Sequence, residues 1–256
     1  MTEGRLAGRW ALVTGAGRGA GMDIARRFAA EGANVVVHYR ASRDGAETVA
    51  EEIRELGREA LVVQGDTTSW ADDRRIAEEL FERLGRLDIL VNNVGDVAGD
   101  QASWTELRED IVDRVIAVDI KGTLYMTHEI GQRMVEQGGG VIVNVCSNVV
   151  VTGSPRAPQY AAAKYGVLGI TKSYAHAFAP SVRVNAYGPG FMETETLRAR
   201  PGWDERRQRV VEGTPLARLT NPEEMAGMAV FLASDESAFM TGNFVLCDGG
   251  ASMVGA

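Results

Sequence analysis

The chain is poor in cysteine and histidine, carries no excess of positive charge, and has no long apolar run. Its two cysteines, Cys146 and Cys247, lie far apart in apolar stretches with no CxxC, which excludes a disulfide scaffold and a thiolate zinc site. They read as structural cysteines of a reducing compartment. The three histidines, His38, His128 and His176, show no metal-ligand spacing, so no metal is expected. Lys and Arg number 27 against 35 Asp and Glu, a formal net charge of −8. That balance argues against nucleic acid or an anionic membrane as the main partner, because both reward clustered cations. Any phosphate must then be held by local groups. No segment approaches the roughly 18 apolar residues of a membrane span, and residues 1–6 lack an apolar signal core. A soluble, cytoplasmic protein is expected.

What the chain does have is regular alternation. It is 256 residues long and 45% hydrophobic, enough for one large core, and no linker interrupts the pattern, so one domain over residues 1–256 is expected. Short, β-branched apolar runs at 10–13, 34–37, 60–63, 89–91, 141–145, 182–185 and 244–246 predict seven buried strands. Helix-period segments near 20–31, 44–56, 70–84, 104–117, 122–136, 158–178 and 222–233 lie between them. The last carries its own start signal: Asn221 as N-cap, Pro222 at the first helical position and Glu224 at N3. Parallel strands need crossover helices, so the alternation predicts an α/β fold, a doubly wound, seven-stranded parallel sheet with helices on both faces.

Ligands of such sheets bind beyond the carboxyl ends of the strands, and the informative residues fall there. Gly15, Gly17, Gly19 and Gly21 follow the first strand and open the first helix, where missing side chains let N–H groups and the helix dipole reach a pyrophosphate. Asp66, just past the third strand, suits an adenine amino group or a turn. Asn92-Asn93-Val94-Gly95 ends the fourth strand, and its amides suit strand stitching and closure of the pocket. Tyr160 and Lys164 stand at i and i+4 of one predicted helix, thirteen residues beyond Ser147. Alone, that pair fits any half-buried helix with a snorkelling lysine. In a shared site, an ammonium about 4.5 Å from the phenol at an effective dielectric of about 20 favours the phenolate by about 3–4 kcal/mol, nearly three pKa units.

The order and spacing of these motifs, together with Pro189-Gly190, Thr194 and the late Asp248-Gly249-Gly250, resemble the short-chain dehydrogenase/reductase family over residues 6–250. Within it, the broad likeness is to 3-oxoacyl-thioester reductases on a Rossmann-type fold. The resemblance implies Tyr160 as general acid or base and Lys164 as the group that lowers its pKa and holds the nicotinamide ribose. It implies Ser147 as hydrogen-bond donor to the substrate oxygen. Thr67 and Gly95 join the cofactor pocket with Asn93 and Asp66, Pro189-Gly190 anchors the carboxamide, and Thr194 lies on the diphosphate side. Relatives that prefer NAD(H) carry an acid at the end of the second strand; here Val37-His38-Tyr39-Arg40-Ala41-Ser42 has none. Arg18, Arg40 and Ser42 suit a 2′-phosphate instead, so NADP(H) is predicted over NAD(H). One departure stands out: Asp119 occupies the place of the family's usual helix asparagine, and is expected to keep a relay role with an altered pH profile.

The substrate pocket is expected to include residues 96–101, 148–160 and a mobile segment at 191–214. Little basic charge flanks the fifth helix, with Glu136-Gln137-Gly138-Gly139 at its end, so a small ketone, aldehyde, alcohol or sugar is expected before a carrier-protein thioester. A homotetramer is implied by resemblance. The competing reading is a catalytically weak dinucleotide-binding protein used for sensing or assembly.

Overall fold

Seven short runs of branched apolar residues become seven strands, because a strand covered on both faces can be apolar at every position. In the computed structural model, which describes residues 4–95, 103–193, 198 and 202–253, these are β1 (Trp10–Val13), β2 (Asn34–Tyr39), β3 (Ala60–Gln64), β4 (Ile89–Asn92), β5 (Gly140–Val145), β6 (Val182–Pro189) and β7 (Phe244–Cys247). All pair in parallel, in the order β3-β2-β1-β4-β5-β6-β7. The order reverses between β1 and β4, so the loops after these strands diverge and open a crevice.

The helices are α1 (Gly19–Ala30), α2 (Arg43–Glu55), α3 (Trp70–Leu84), α4 (Glu109–Val115), α5 (Gly122–Glu136), α6 (Val149–Thr152), α7 (Pro158–Ala177), α8 (Trp203–Glu212) and α9 (Pro222–Ala233). The two-residue pleat sorts the core into two layers. Ala11, Val13, Val35, Val37, Val91 and Val143 face α1, α2 and α9 through Ile24, Phe28, Val49, Ile53 and Val230. Leu12, Val36, Leu90 and Ile142 face α3 and α5 through Ile76, Leu80, Met126 and Ile130. The predicted start of α9 is present as a reciprocal pair: Asn221 accepts from the Glu223 N–H, and Glu224 accepts from the Asn221 N–H, both at 3.0 Å.

Two expectations change. The helix predicted over 104–117 begins only at Glu109; the segment before it is a turn whose Trp104 N–H donates to the Pro155 carbonyl at 3.4 Å. Between α4 and α5 the chain does not break but widens into a π-helical turn, Ile116–Lys121, that carries Asp119. Within the segment 191–214 the described residues include a helix, α8, with Trp203 buried at its start. Thr194 and residues 96–101 lie outside the described residues.

Candidate active site

A ladder of buried amides and hydroxyls underlies the site. Asn92 and Asn144 are register partners on β4 and β5, and Asn92 Nδ2 donates to Asn144 Oδ1 at 2.8 Å and to Thr127 Oγ1 on α5 at 2.9 Å. Asn144 Nδ2 continues to Thr171 Oγ1 on α7 at 2.9 Å. Buried polar groups are costly without partners, so these bonds fix α5, α7 and two strands relative to one another. Asn93 acts one residue further on: its amide donates to the Thr14 carbonyl and its N–H to Thr14 Oγ1, each at 2.9 Å, tying β4 to β1. Asn144 and Thr171 escape a motif search, because an amide or hydroxyl in an apolar run has no spacing signature.

On that floor α7 brings Tyr160 and Lys164 beside Ser147, which follows β5. The Tyr160 side chain hydrogen-bonds to Ser147. Lys164 Nζ lies 5.5 Å from the centre of the Tyr160 ring and donates to the Val145 carbonyl at 3.1 Å. It also meets Asp119 Oδ1 at 2.8 Å, with both side chains buried. Gly95 closes the same spot: a β-carbon there would stand 2.9 Å from Asp119 Oδ1 and 3.1 Å from Lys164 Nζ, so only glycine leaves the pair intact. Tyr160 itself keeps partial access to solvent.

The electrostatics correct one expectation. Burial pushes the Lys164 ammonium down, but Asp119 and Tyr160 together more than offset it, and Lys164 ends above its ordinary value. Tyr160 is not lowered: burial raises it, Lys164 and the Ser147 hydrogen bond lower it, Asp119 raises it, and the net direction is upward. The ammonium alone does not set the direction, because desolvation of the phenol and the carboxylate that neutralises much of the lysine's field both oppose it.

The crevice between β1 and β4 has the features a dinucleotide needs. α1 starts after an extended Arg18 with no side-chain cap on its first N–H groups and no acid in its first turn, so nothing competes for an anion there. A β-carbon at Gly19 would meet nothing within 4 Å, an open cradle beside that helix end. Arg18 is exposed, Ser42 is the N-cap of α2 without a side-chain cap bond, and Arg40 faces Asp66 Oδ2 at 3.7 Å. The other Asp66 oxygen accepts from the Thr68 N–H and hydroxyl at 2.9 and 2.8 Å, so the turn role of Asp66 is occupied. Thr67 is buried against Gly122, the first residue of α5. Pro189 ends β6 and Gly190 follows it; the Pro189 carbonyl accepts from the Asn148 N–H at 3.4 Å, and the Gly190 N–H donates to the Cys247 carbonyl at 3.0 Å. Just past Gly190, Phe191 stacks with Trp203, ring centres 6.0 Å apart, and Trp203 Nε1 donates to Glu193 at 3.0 Å. Among the described residues no group of three or more His, Cys, Asp or Glu could hold a metal ion, and no helix is long and apolar enough to cross a membrane.

A family model described as Enoyl-(Acyl carrier protein) reductase matches residues 15–252. An uncharacterized oxidoreductase of Thermotoga maritima is 38% identical over 96% of this chain and 98% of its own length. The 3-oxoacyl-[acyl-carrier-protein] reductase FabG of Staphylococcus epidermidis is 35% identical over 95% of this chain and 98% of its own. Among solved structures, a gluconate 5-dehydrogenase from Burkholderia cenocepacia, in complex with NADP and tartrate, superposes with a TM-score of 0.91 at 33% identity, covering 97% of this chain and 96% of that one. With the parallel sheet and the grouping of Ser147, Tyr160 and Lys164, these matches make the chain a member of the short-chain dehydrogenase/reductase family of oxidoreductases.

Proposed function

We propose that this protein interconverts a carbonyl and an alcohol by NADP(H)-dependent hydride transfer, with Tyr160 as general acid in reduction and general base in oxidation. The observation that carries the reading is the buried Lys164–Asp119 pair at 2.8 Å set directly behind Tyr160 and Ser147. An ion pair removed from water is expensive to keep, and one placed next to a phenol that hydrogen-bonds a serine has an evident use. The chemistry a bound dinucleotide supplies is the hydride. The chain's own part is to move one proton: in reduction the Tyr160 hydroxyl gives it to the carbonyl oxygen, while the Ser147 hydroxyl donates a hydrogen bond to the same oxygen. The net upward displacement of Tyr160 favours the protonated form, which suits the reductive direction.

The residues of the crevice fit the dinucleotide, and its α2 side fits a 2′-phosphate. Arg40 is engaged with Asp66, but both are exposed and 3.7 Å apart. Such a surface pair is worth about 0–1 kcal/mol, less than a charge-assisted bond to a phosphate dianion, so the phosphate wins. The substrate is read as a small ketone, aldehyde, alcohol or sugar, and the assembly as a homotetramer. The gluconate 5-dehydrogenase supports a small polar substrate and the FabG relatives a carrier-bound thioester; the cation in the last turn of α5, Arg133, is committed to Glu129 and Glu78, which favours the first.

Tyr160→Phe is expected to lower turnover about 10²–10⁴-fold while NADPH affinity, read by nicotinamide fluorescence, changes less than about twofold. Surviving turnover would refute the mechanism. Comparing kcat/KM for NADPH and NADH over a panel of ketones and sugars tests the rest, and a clear NADH preference sinks the coenzyme assignment.

A further inference from the structure

His38 has no part in the chemistry above, yet it touches the glycine loop twice. It is the fifth residue of β2, paired with Val63 of β3, and it is 1% exposed. Its ring Nδ1 accepts from the Gly15 N–H at 3.2 Å, and its backbone carbonyl accepts from the Ala16 N–H at 2.8 Å. Gly15 has a φ of +66°, in the left-handed region, so the turn at which β1 becomes the loop needs both glycine and something to hold it. A nitrogen that accepts carries no proton, which puts the proton on Nε2. Nε2 is buried as well and finds no well-formed hydrogen bond among the described residues; the Gly65 backbone, just past β3, is the group whose pull favours a proton on the ring.

We infer that His38 is a positioning residue for the dinucleotide: its neutral ring, protonated at Nε2, clamps the Gly15 N–H so that the N-terminus of α1 is presented to the pyrophosphate. The inference rests on the reading of the crevice as a dinucleotide site. The electrostatic setting agrees with a neutral ring. Burial lowers His38 to about 4, against the opposing pull of Gly65 and Asp66, with Arg75 and Asp72 of α3 the other charged groups that face it. A second proton would go to Nδ1 and expel the Gly15 N–H. Two successive N–H groups turned inward at His38 leave the first turn of α1, with no side-chain cap, as the anion site.

Side-chain geometry supplies a sharp test. Asparagine places its amide oxygen where histidine has Nδ1, whereas glutamine places its amide near Nε2, and leucine offers no acceptor at either. His38→Leu and His38→Gln are therefore expected to weaken NADPH binding about tenfold, the equivalent of one hydrogen bond, and to raise KM for NADPH in step while kcat moves less than about twofold. His38→Asn should retain affinity within about threefold. Affinity is read by fluorescence titration, with circular dichroism and thermal unfolding confirming that each variant is folded. Should His38→Leu fail to fold, the Asn and Gln pair decides, and equal affinity in those two overturns the inference. Independently of any coenzyme, ¹⁵N shifts of the His38 ring should show an unprotonated Nδ1 and a protonated Nε2 from neutral pH down to about pH 4; the reverse tautomer overturns the clamp. A wild-type chain that binds no dinucleotide overturns the site reading and this inference with it. One that binds NADPH, with a folded His38→Leu variant binding equally well, overturns the inference alone.

Discussion

Two aspartates among the described residues are fully buried, and they keep opposite company. Asp119, on the π-helical turn, meets Lys164 at 2.8 Å. Asp73, in the first turn of α3, has no hydrogen-bond partner for either carboxylate oxygen among the described residues, and the groups nearest in charge are Asp72, Asp66 and Glu129. Glu129 is no help to it, being committed to the Trp70 indole at 2.5 Å and to Arg133 at 3.2 Å. Burial first, then these like charges, push Asp73 up to about 8. Identical side chains at identical exposure thus serve different ends. With a cation the carboxylate joins a buried ion pair beside Tyr160; without one it stays a neutral acid near pH 7.

The largest expected effect comes from making the first aspartate resemble the second. Lys164→Met leaves Asp119 without its cation and should cost about 3–5 kcal/mol of stability in denaturant titrations, in addition to the loss of turnover. Adding Asp119→Asn to that variant should restore most of the stability; if it does not, the pair is not coupled as described. The next effect concerns Asp73. Its folded-state value lies above the unfolded one near 4, so it costs nothing below about pH 4, and stability falls as the pH rises towards about 8. Asp73→Asn should accordingly gain on wild type by about 2–4 kcal/mol between pH 5 and pH 8, and a pH-independent difference would remove the contrast. The smallest effect is catalytic. Asp119 raises Tyr160, so Asp119→Asn should move the acid limb of the oxidation profile to lower pH without abolishing activity. A profile identical to wild type at every pH would make Asp119 purely structural.

Much of this was legible in the chain. The seven strands are readable because each is covered on both faces, and the start of α9 because Asn221, Pro222 and Glu224 state it residue by residue. Trp104 and Leu107 mislead because they are apolar at helical spacing yet exposed. The π-helical turn leaves almost no trace, since one extra residue barely alters a periodicity of 3.6. Asp73 could have been found: it lies on the stripe Ile76, Ala77, Leu80 of α3, where an acid has no business unless neutral or paired. The direction of Tyr160 could not, because a spacing of four gives proximity to Lys164 but neither the burial of the phenol nor the carboxylate behind the lysine. Arg40 is similar, since its partner Asp66 stands on another strand's loop.

The π-helical turn also acts as a phase adjuster. One added residue advances a helix by about 100°, so the continuous rod from Glu109 to Glu136 presents different sides along its length. All of the rod touches α7, and its last part packs on α3 and the strands β4 and β5 as well. Without the offset, that last part would meet α3 and the strands about 100° out of phase. Asp119 sits where the rotation happens, so its aim at Lys164 is set by the winding of the backbone before any choice of side-chain rotamer. Removing a single residue between Ile116 and Lys121 would therefore act as a rotation, taking either the carboxylate off the lysine or the far half of the rod off the sheet.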